Sequence, residues 1–324
     1  MLPLAQLIAA RCSTGERVAL CTLVKARGST PQETGAKMAV TRDGTLHGTL
    51  GGGCVEAEVR RRAVEFLHLG RSELLTFRLD HDYGWDDGLI CGGTMLVQVQ
   101  VLEGAGEAAR FQKIAADLQA RRPVEFQFDY QTDEGPQTYR ELLEPRPTLV
   151  IAGGGHVGQS LARIAHELDF EVTIIDDRAE YTSEQRFPTA TRRITGDIAT
   201  ALGKIAADHL TYIVIVTRGH NHDGQALESV VRSPAKYIGL IGSKRKIAKI
   251  YGELAARGVT LEQLQRVHAP IGLEINSISV PEIAVSIAAE LVAVRRGCAG
   301  NEAGTPMKLT AEEVERISRR SGSA

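Results

Sequence analysis

The sequence has no apolar run approaching the roughly 20 residues needed to cross a bilayer, which excludes a conventional membrane-spanning helix. The opening MLPLAQLIAARC has no basic start and is interrupted by Gln6, so it reads as a short amphipathic helix and not as a leader. No CxxC pair occurs. Cys12, Cys21, Cys54, Cys91 and Cys298 are odd in number and widely spaced, which argues against a disulfide framework or a zinc ribbon. A reducing cytoplasm is the simplest setting for them. Nor does charge of one sign prevail: 38 Lys and Arg against 40 Asp and Glu leave −2, too little to hold nucleic acid or an anionic membrane through a global field. Any anion site has to be local. Internal repeats and low-complexity tracts are also lacking, which excludes a solenoid.

What is present is an ordinary globular balance, 43% apolar over 324 residues, too long for one core and enough for two. A first domain is expected over 1–145. In it, 17–26 alternates like a strand that Gly28-Ser29-Thr30-Pro31 ends in a turn. The segments 36–41 and 45–50 flank Arg42-Asp43-Gly44 as a hairpin. Gly51-Gly52-Gly53 then feeds a helix over 54–69, with Val55, Val59, Ala63, Phe66 and Leu67 at helical spacing. Strands at 72–79 and 94–102 around the polar stretch 80–93, a helix at 108–121 and a hairpin around Asp133-Glu134-Gly135-Pro136 complete an α+β domain.

Glu144-Pro145-Arg146-Pro147 is the expected linker, because closely spaced prolines disfavour helix and lack donors for a sheet interior. Beyond it, 148–152, 171–175, 212–217 and 237–241 are short apolar strands separated by helical stretches. That rhythm predicts a Rossmann-type α/β domain over 146–299, built on a doubly wound parallel sheet. A short extra strand is expected at 192–194 and a helix at 281–296. The polar tail 300–324 is expected to carry one loose helix at 310–319.

Gly153, Gly155 and Gly158 form G-x-G-x-x-G directly after the first of these strands, and they open a helix. Asp176 and Asp177 close the next strand about 20 residues on, the full context of a dinucleotide fingerprint. The first glycine permits the turn, the second lets backbone approach a pyrophosphate, and the third lets helix and strand pack. Bare amides and the helix dipole then favour an anion, with His156 in the first turn and Asp176 placed to accept from ribose hydroxyls. A simple tight βα turn is the alternative reading. Arg178 leaves NAD and its phosphorylated variant both open.

Two further loops follow strands, where open α/β sheets bind ligands. Thr217-Arg218-Gly219-His220-Asn221-His222-Asp223 is dense in polar groups, and Gly242-Ser243-Lys244-Arg245-Lys246 places a serine cap and cations at a helix start. Cations there oppose the dipole, so an anionic partner rationalises them; for Lys246 and Lys249 a solvated basic face is the alternative. His-x-His without acidic or cysteine company reads as polar loop chemistry and not as a metal site.

In the first domain Cys54 starts a helix after three glycines, a setting that favours the reactive thiolate, with Glu56 in the same first turn. Cys91 lies in Gly88-Leu89-Ile90-Cys91-Gly92-Gly93, again among glycines. Cys12, Cys21 and Cys298 fit the ordinary role of small buried hydrophobes. Cys54 and Cys91 are the candidates for chemistry or for a soft atom such as sulfur or molybdenum. No histidine is arranged with them in a recognisable Cys-His pair, so no catalytic residue is assigned.

These stretches together resemble the XdhC/CoxI family, the xanthine dehydrogenase accessory factors. The matching segments are Gly28–Pro31, Gly51–Glu56 and Cys91–Gly93, then Gly153–Gly158, Thr217–His220 with Asp223, Ile241–Lys246, Pro270–Ile275 and Pro281–Ile287. They run in order from about Val18 to Gly297. The resemblance implies a protein that binds molybdenum cofactor (molybdopterin, with or without a nucleotide extension), supports its sulfuration and passes it to a xanthine dehydrogenase-type molybdenum hydroxylase. It further implies a cysteine desulfurase partner and a homodimer. By matching position Cys54 and Cys91 become cofactor or metal contacts, while the second domain grips the pterin phosphate or its nucleotide. The insert 80–87, with Trp85, departs from the family pattern.

Two other functions fit the glycine fingerprint alone, a NAD(P)-dependent oxidoreductase and a nucleotide-sensing adaptor. Against the oxidoreductase, no Tyr-x-x-x-Lys pair or comparable proton relay stands beside the fingerprint.

Overall fold

The computed structural model describes residues 1–79 and 92–297, with 310, 312, 313 and 315 in the tail; the side chains of His220 and Asn221 lie outside the description. The chain divides into two compact units, Met1–Pro145 and Arg146–Ala324. The expected 310–319 helix falls largely outside the described residues.

The first unit comprises α1 (Leu2–Ser13), β1 (Val18–Arg27), β2 (Lys37–Val40), β3 (Leu46–Gly48), α2 (Gly53–Leu69), β4 (Glu73–Arg78), β5 (Thr94–Leu102), α3 (Gly104–Gln119), β6 (Val124–Thr132) and β7 (Gly135–Leu143). Five strands form an antiparallel sheet in the order β3-β2-β1-β5-β4, and β6 and β7 pair separately as a hairpin. Alternation along β1 sends Ala19, Cys21 and Leu23 to the face that α2 covers with Val55, Val59, Ala63 and Phe66. Val18 and Leu20 point the other way, into a core shared with α1, α3 and the hairpin. Both faces are therefore covered, each by an amphipathic partner. Helix α3 begins four residues before its expected start, because Gly104 and Gly106 dilute the helical pattern there.

The second unit runs β8 (Thr148–Ala152), α4 (His156–Glu167), β9 (Glu171–Asp176), β10 (Arg192–Thr195), α5 (Ile198–Gly203), β11 (Thr211–Ile215), α6 (His220–Val230), β12 (Tyr237–Leu240), α7 (Lys244–Ala256), α8 (Leu261–Gln265), β13 (Val267–His268) and α9 (Val280–Arg295). Its sheet has the order β10-β9-β8-β11-β12-β13 with every pairing parallel. Leu149 and Ile151 face α4 and α9, while Val150 and Ala152 face the α5–α8 side. Burial on both faces explains why these strands read as continuous apolar runs. The order reverses at β8, which puts a crevice between the carboxyl ends of β8 and β11. The two-residue β13 gives no sequence signal.

Glu290 of α9 is a buried anchor for the segment after β13. It accepts from Tyr237 Oη at 2.5 Å, the Gly272 amide at 2.8 Å and His268 Nδ1 at 2.8 Å. Burial opposes its ionisation, but His268 and these donors outweigh that and hold the carboxyl below the usual range. Among the described residues, no helix is long and apolar enough to cross a membrane.

Candidate functional site

The glycine loop between β8 and α4 divides its roles by contact. Gly153 sits at φ +115°, and a Cβ there would lie 2.4 Å from the Val216 carbonyl oxygen. A Cβ at Gly158 would lie 2.1 Å from the Gly153 oxygen, which is the close packing of helix on loop. Gly154 is engaged on every side: its amide donates to Asp176 at 2.8 Å, its carbonyl accepts from Arg186 Nε at 2.9 Å, and its α-carbon abuts the Tyr181 carbonyl. Only Gly155, the residue that caps α4, has open space where a Cβ would be. His156 follows it, exposed in the first helical turn.

Asp176 is buried and works inside the protein. Besides Gly154 it takes the Arg178 amide at 3.0 Å and the Arg178 guanidinium at 2.9 and 3.1 Å. Burial alone would raise its pKa; the Arg178 and Gly154 donors prevail and lower it. Arg178 in turn stacks on the Tyr181 ring at 3.5 Å, with Arg186 at 4.8 Å from the same ring. Arg186 Nη2 is buried without a hydrogen-bond partner, so a cationic donor is held beside the loop. The more exposed acid is Asp177, which meets Arg218 at 2.7 Å and Arg178 at 3.6 Å.

The loops after β11 and β12 are tied together. Thr217 Oγ1 donates to Asp223 at 2.5 Å, and the other oxygen of Asp223, fully buried, pairs with Lys246. Ser243 caps α7 by accepting from the Lys246 amide at 3.3 Å. Lys246 thereby folds back on its own loop, whereas Lys244 is largely exposed, 3.7 Å from Glu313 of the tail, and Arg245 is exposed. His220 begins α6 after Gly219 at φ +82°; its side chain lies outside the described residues. Sequence reasoning missed Arg186, chose Asp176 over Asp177 as the acceptor, and left Lys246 open between an anionic partner and a solvated face. The acid of Asp223 six positions after Thr217, in the first turn of α6, was a usable signal for Lys246; Arg186 had none.

In the first unit the three glycine-bearing segments converge. A Cβ on Gly51 would lie 2.8 Å from Pro31 Cβ and 3.0 Å from Gln32 Cγ, and one on Gly28 would lie 3.1 Å from Gly93 Cα. Ser29 also bridges to Gly92. The 28–32 loop is therefore wedged between the start of α2 and the start of β5. Gly51, Gly52 and Gly53 all have positive φ, a backbone that L side chains rarely adopt. Glu56 fastens the turn, one oxygen accepting from Thr49 Oγ1 at 2.7 Å and from the Leu50 and Gly52 amides at 3.0 and 3.2 Å. Burial works against its ionisation, yet these donors lower the Glu56 pKa. Cys54 sits half-buried at the second position of α2, with open space beside Gly52 and Gly53. Cys91 lies outside the described residues; its neighbour Gly92 is at the wedge. Cys12 and Cys21 are buried, and burial pushes the Cys12 thiol up to about 11. Among the described residues, no three or more His, Cys, Asp or Glu side chains are grouped to hold a metal ion.

A doubly wound sheet with a fingerprint loop, preceded by an α+β unit whose glycine segments converge, defines a protein with a Rossmann-type unit and a second, thiol-bearing unit. Comparison with known proteins gives it a family. The XdhC and CoxI family model matches residues 12–78 and the XdhC Rossmann domain matches 149–291, together more than half of the sequence. The chain belongs to the XdhC/CoxI family. It is 28% identical over 283 residues to the uncharacterised protein YqeB of Escherichia coli K12, covering 87% of this chain but 44% of that protein, so it spans less than half of that relative. It is 24% identical to a probable xanthine dehydrogenase subunit from Bacillus subtilis 168, covering 87% of this chain and 94% of the relative. With the molybdenum cofactor insertion chaperone PaoD of E. coli K12 it shares 25% identity, over 87% and 85% respectively. The crystal structure of a xanthine dehydrogenase from Bacillus halodurans has a TM-score of 0.80 at 22% identity, covering 94% of this chain and 98% of that one, a likeness of fold.

Proposed function

We propose that this protein is an accessory factor that binds molybdenum cofactor, supports its sulfuration and delivers it to a xanthine dehydrogenase-type molybdenum hydroxylase. The observation that carries the reading is the division of labour in the glycine loop: Gly153, Gly154 and Gly158 are pressed against backbone, and Gly155 alone faces open space at a helix N-terminus. That leaves one place in the loop for a phosphate group, beside the Gly154 carbonyl that Arg186 holds. The cofactor is cargo here. Its phosphate, or the pyrophosphate of a nucleotide extension, suits the Gly155–His156 turn. Cys54, half-buried after a turn of three left-handed glycines, is the thiol that this reading assigns to sulfur handling. The names of two relatives, the insertion chaperone and the probable xanthine dehydrogenase component, support the same cargo and client.

A cysteine desulfurase as sulfur source, a homodimeric state, a cytoplasmic setting and a role for Cys91 belong to this reading as its further parts. NAD(P) binding at the same loop is the rival for the site. The deciding experiment is elemental analysis with a pterin fluorescence assay on protein purified from a molybdate-supplied host. Molybdenum and pterin in equal amounts are expected; stoichiometric NAD(P) with neither would overturn the assignment.

A further inference from the structure

In a dinucleotide fingerprint the acid that closes the second strand reads the ribose: it accepts from the 2′-hydroxyl, or an arginine nearby takes a 2′-phosphate. In this protein both groups are spent on each other. An ionised carboxylate offers about four acceptor positions on its two oxygens. Asp176 Oδ1 takes the Arg178 amide at 3.0 Å and Arg178 Nε at 2.9 Å, while Oδ2 takes the Gly154 amide at 2.8 Å and Arg178 Nη2 at 3.1 Å. Each position is filled from within the chain, and Asp176 is only 1% exposed.

The space is closed along with the chemistry. The Tyr181 carbonyl lies against the α-carbon of Gly154, where a Cβ would overlap it, and Arg186 Nε holds the Gly154 carbonyl at 2.9 Å. The short 3₁₀ turn Ala179–Thr182 thus covers the loop on the side of β9. Arg178 has its forked edge on Asp176 and its plane on the Tyr181 ring, so it is not set to receive a 2′-phosphate. Asp177 has a cation at each oxygen, Arg178 at 3.6 Å and Arg218 at 2.7 Å. Gly155 keeps open space.

We infer that the glycine-loop site selects its ligand by phosphate and does not read a ribose. The ligand class is an organic phosphate whose remaining part makes no demand on the end of β9, and Asp176 is a positioning residue that fixes Gly154 and Arg178. The inference rests on the phosphate reading of the Gly155 turn and deepens it: a pterin phosphate, which has no ribose, and a nucleoside diphosphate meet the same groups.

The test is calorimetric titration of the full chain with ADP and with 2′,3′-dideoxy-ADP, which differ only in the diol. A carboxylate that accepted from both hydroxyls would make two charge-assisted hydrogen bonds, and their loss would weaken binding by about tenfold or more. Affinities equal to within about twofold are expected. Asp176→Asn, whose amide nitrogen cannot accept, should lower the melting temperature and weaken both nucleotides by the same factor, because it acts through the loop. Asp177→Asn should tighten both alike. Dideoxy-ADP bound about tenfold more weakly than ADP, or either variant shifting ADP alone, would overturn the inference and leave the phosphate reading standing. Failure of the parent to bind either nucleotide would overturn that reading and the inference with it.

Discussion

Arg218 and Asp177 meet at 2.7 Å although they are 41 residues apart, and their contact spans the carboxyl end of β8, because β9 and β11 flank that strand. The pair thus lies across the tip of the strand that feeds the glycine loop. On the proposed reading, a phosphate at Gly155 would compete with Asp177 for the guanidinium. Arg218→Ala is expected to weaken binding of CDP or ADP by about tenfold, the worth of one charge-assisted hydrogen bond of about 1.5 kcal/mol. Asp177→Asn should tighten it. Titrations at two ionic strengths check both, and identical affinities in all three proteins would refute the competition.

The loop glycines separate folding from binding. A Cβ at Gly158 would stand 2.1 Å from a backbone oxygen, so Gly158→Ala should cost several kcal/mol and lower the melting temperature sharply. Gly155 has open space and an extended backbone that alanine also adopts, φ −64° and ψ −170°. Gly155→Ala should therefore fold like the parent and lose nucleotide or cofactor affinity. Thermal melts beside ligand titration distinguish the two; equal loss of stability in both would show that Gly155 is also structural.

Cys54→Ser tests the thiol with a side chain of similar size. Molybdenum retained per mole of protein is expected to fall severalfold while the melting temperature holds. Glu56→Gln should lower both, because the carboxylate takes three loop donors. Retention unchanged in Cys54→Ser would remove that sulfur from the site.

Acid sensitivity follows from two buried carboxylates. Asp176 and Glu290 both have pKa values lowered in the folded state. Their stabilisation is therefore complete above the unfolded values of about 4 and is lost as pH falls through the lower folded ones. Glu290→Gln should destabilise at neutral pH by about 1–3 kcal/mol, because one amide oxygen replaces a carboxylate that takes three buried donors. It should also remove about one proton from the uptake that accompanies acid unfolding. Melting curves from pH 7 to pH 3 check this; an unaltered acid limb would contradict it.

Much of the fold was legible because its signals are short-range. Strands such as 148–152 and helices such as 54–69 declare themselves by period, and the fingerprint glycines by their setting between strand and helix. The site was less legible. Asp176 has the spacing of a ribose acceptor, but its oxygens go to Gly154 and Arg178, and Asp177 beside it faces the mouth. Which of two adjacent acids turns inward depends on the strand's register against its neighbours, and composition carries no trace of that.

The primary structure by itself determined the two-part architecture, the parallel sheet and the location of both glycine turns, since each follows from local periodicity and backbone freedom. Only the tertiary structure decided that Gly28, Gly51 and Gly93 belong to one wedge, that Asp223 reaches Lys246, and that Gln98 is left with an unmet oxygen. Those outcomes depend on contacts between segments far apart along the chain, where a few tenths of an ångström of packing settle which polar atoms find partners.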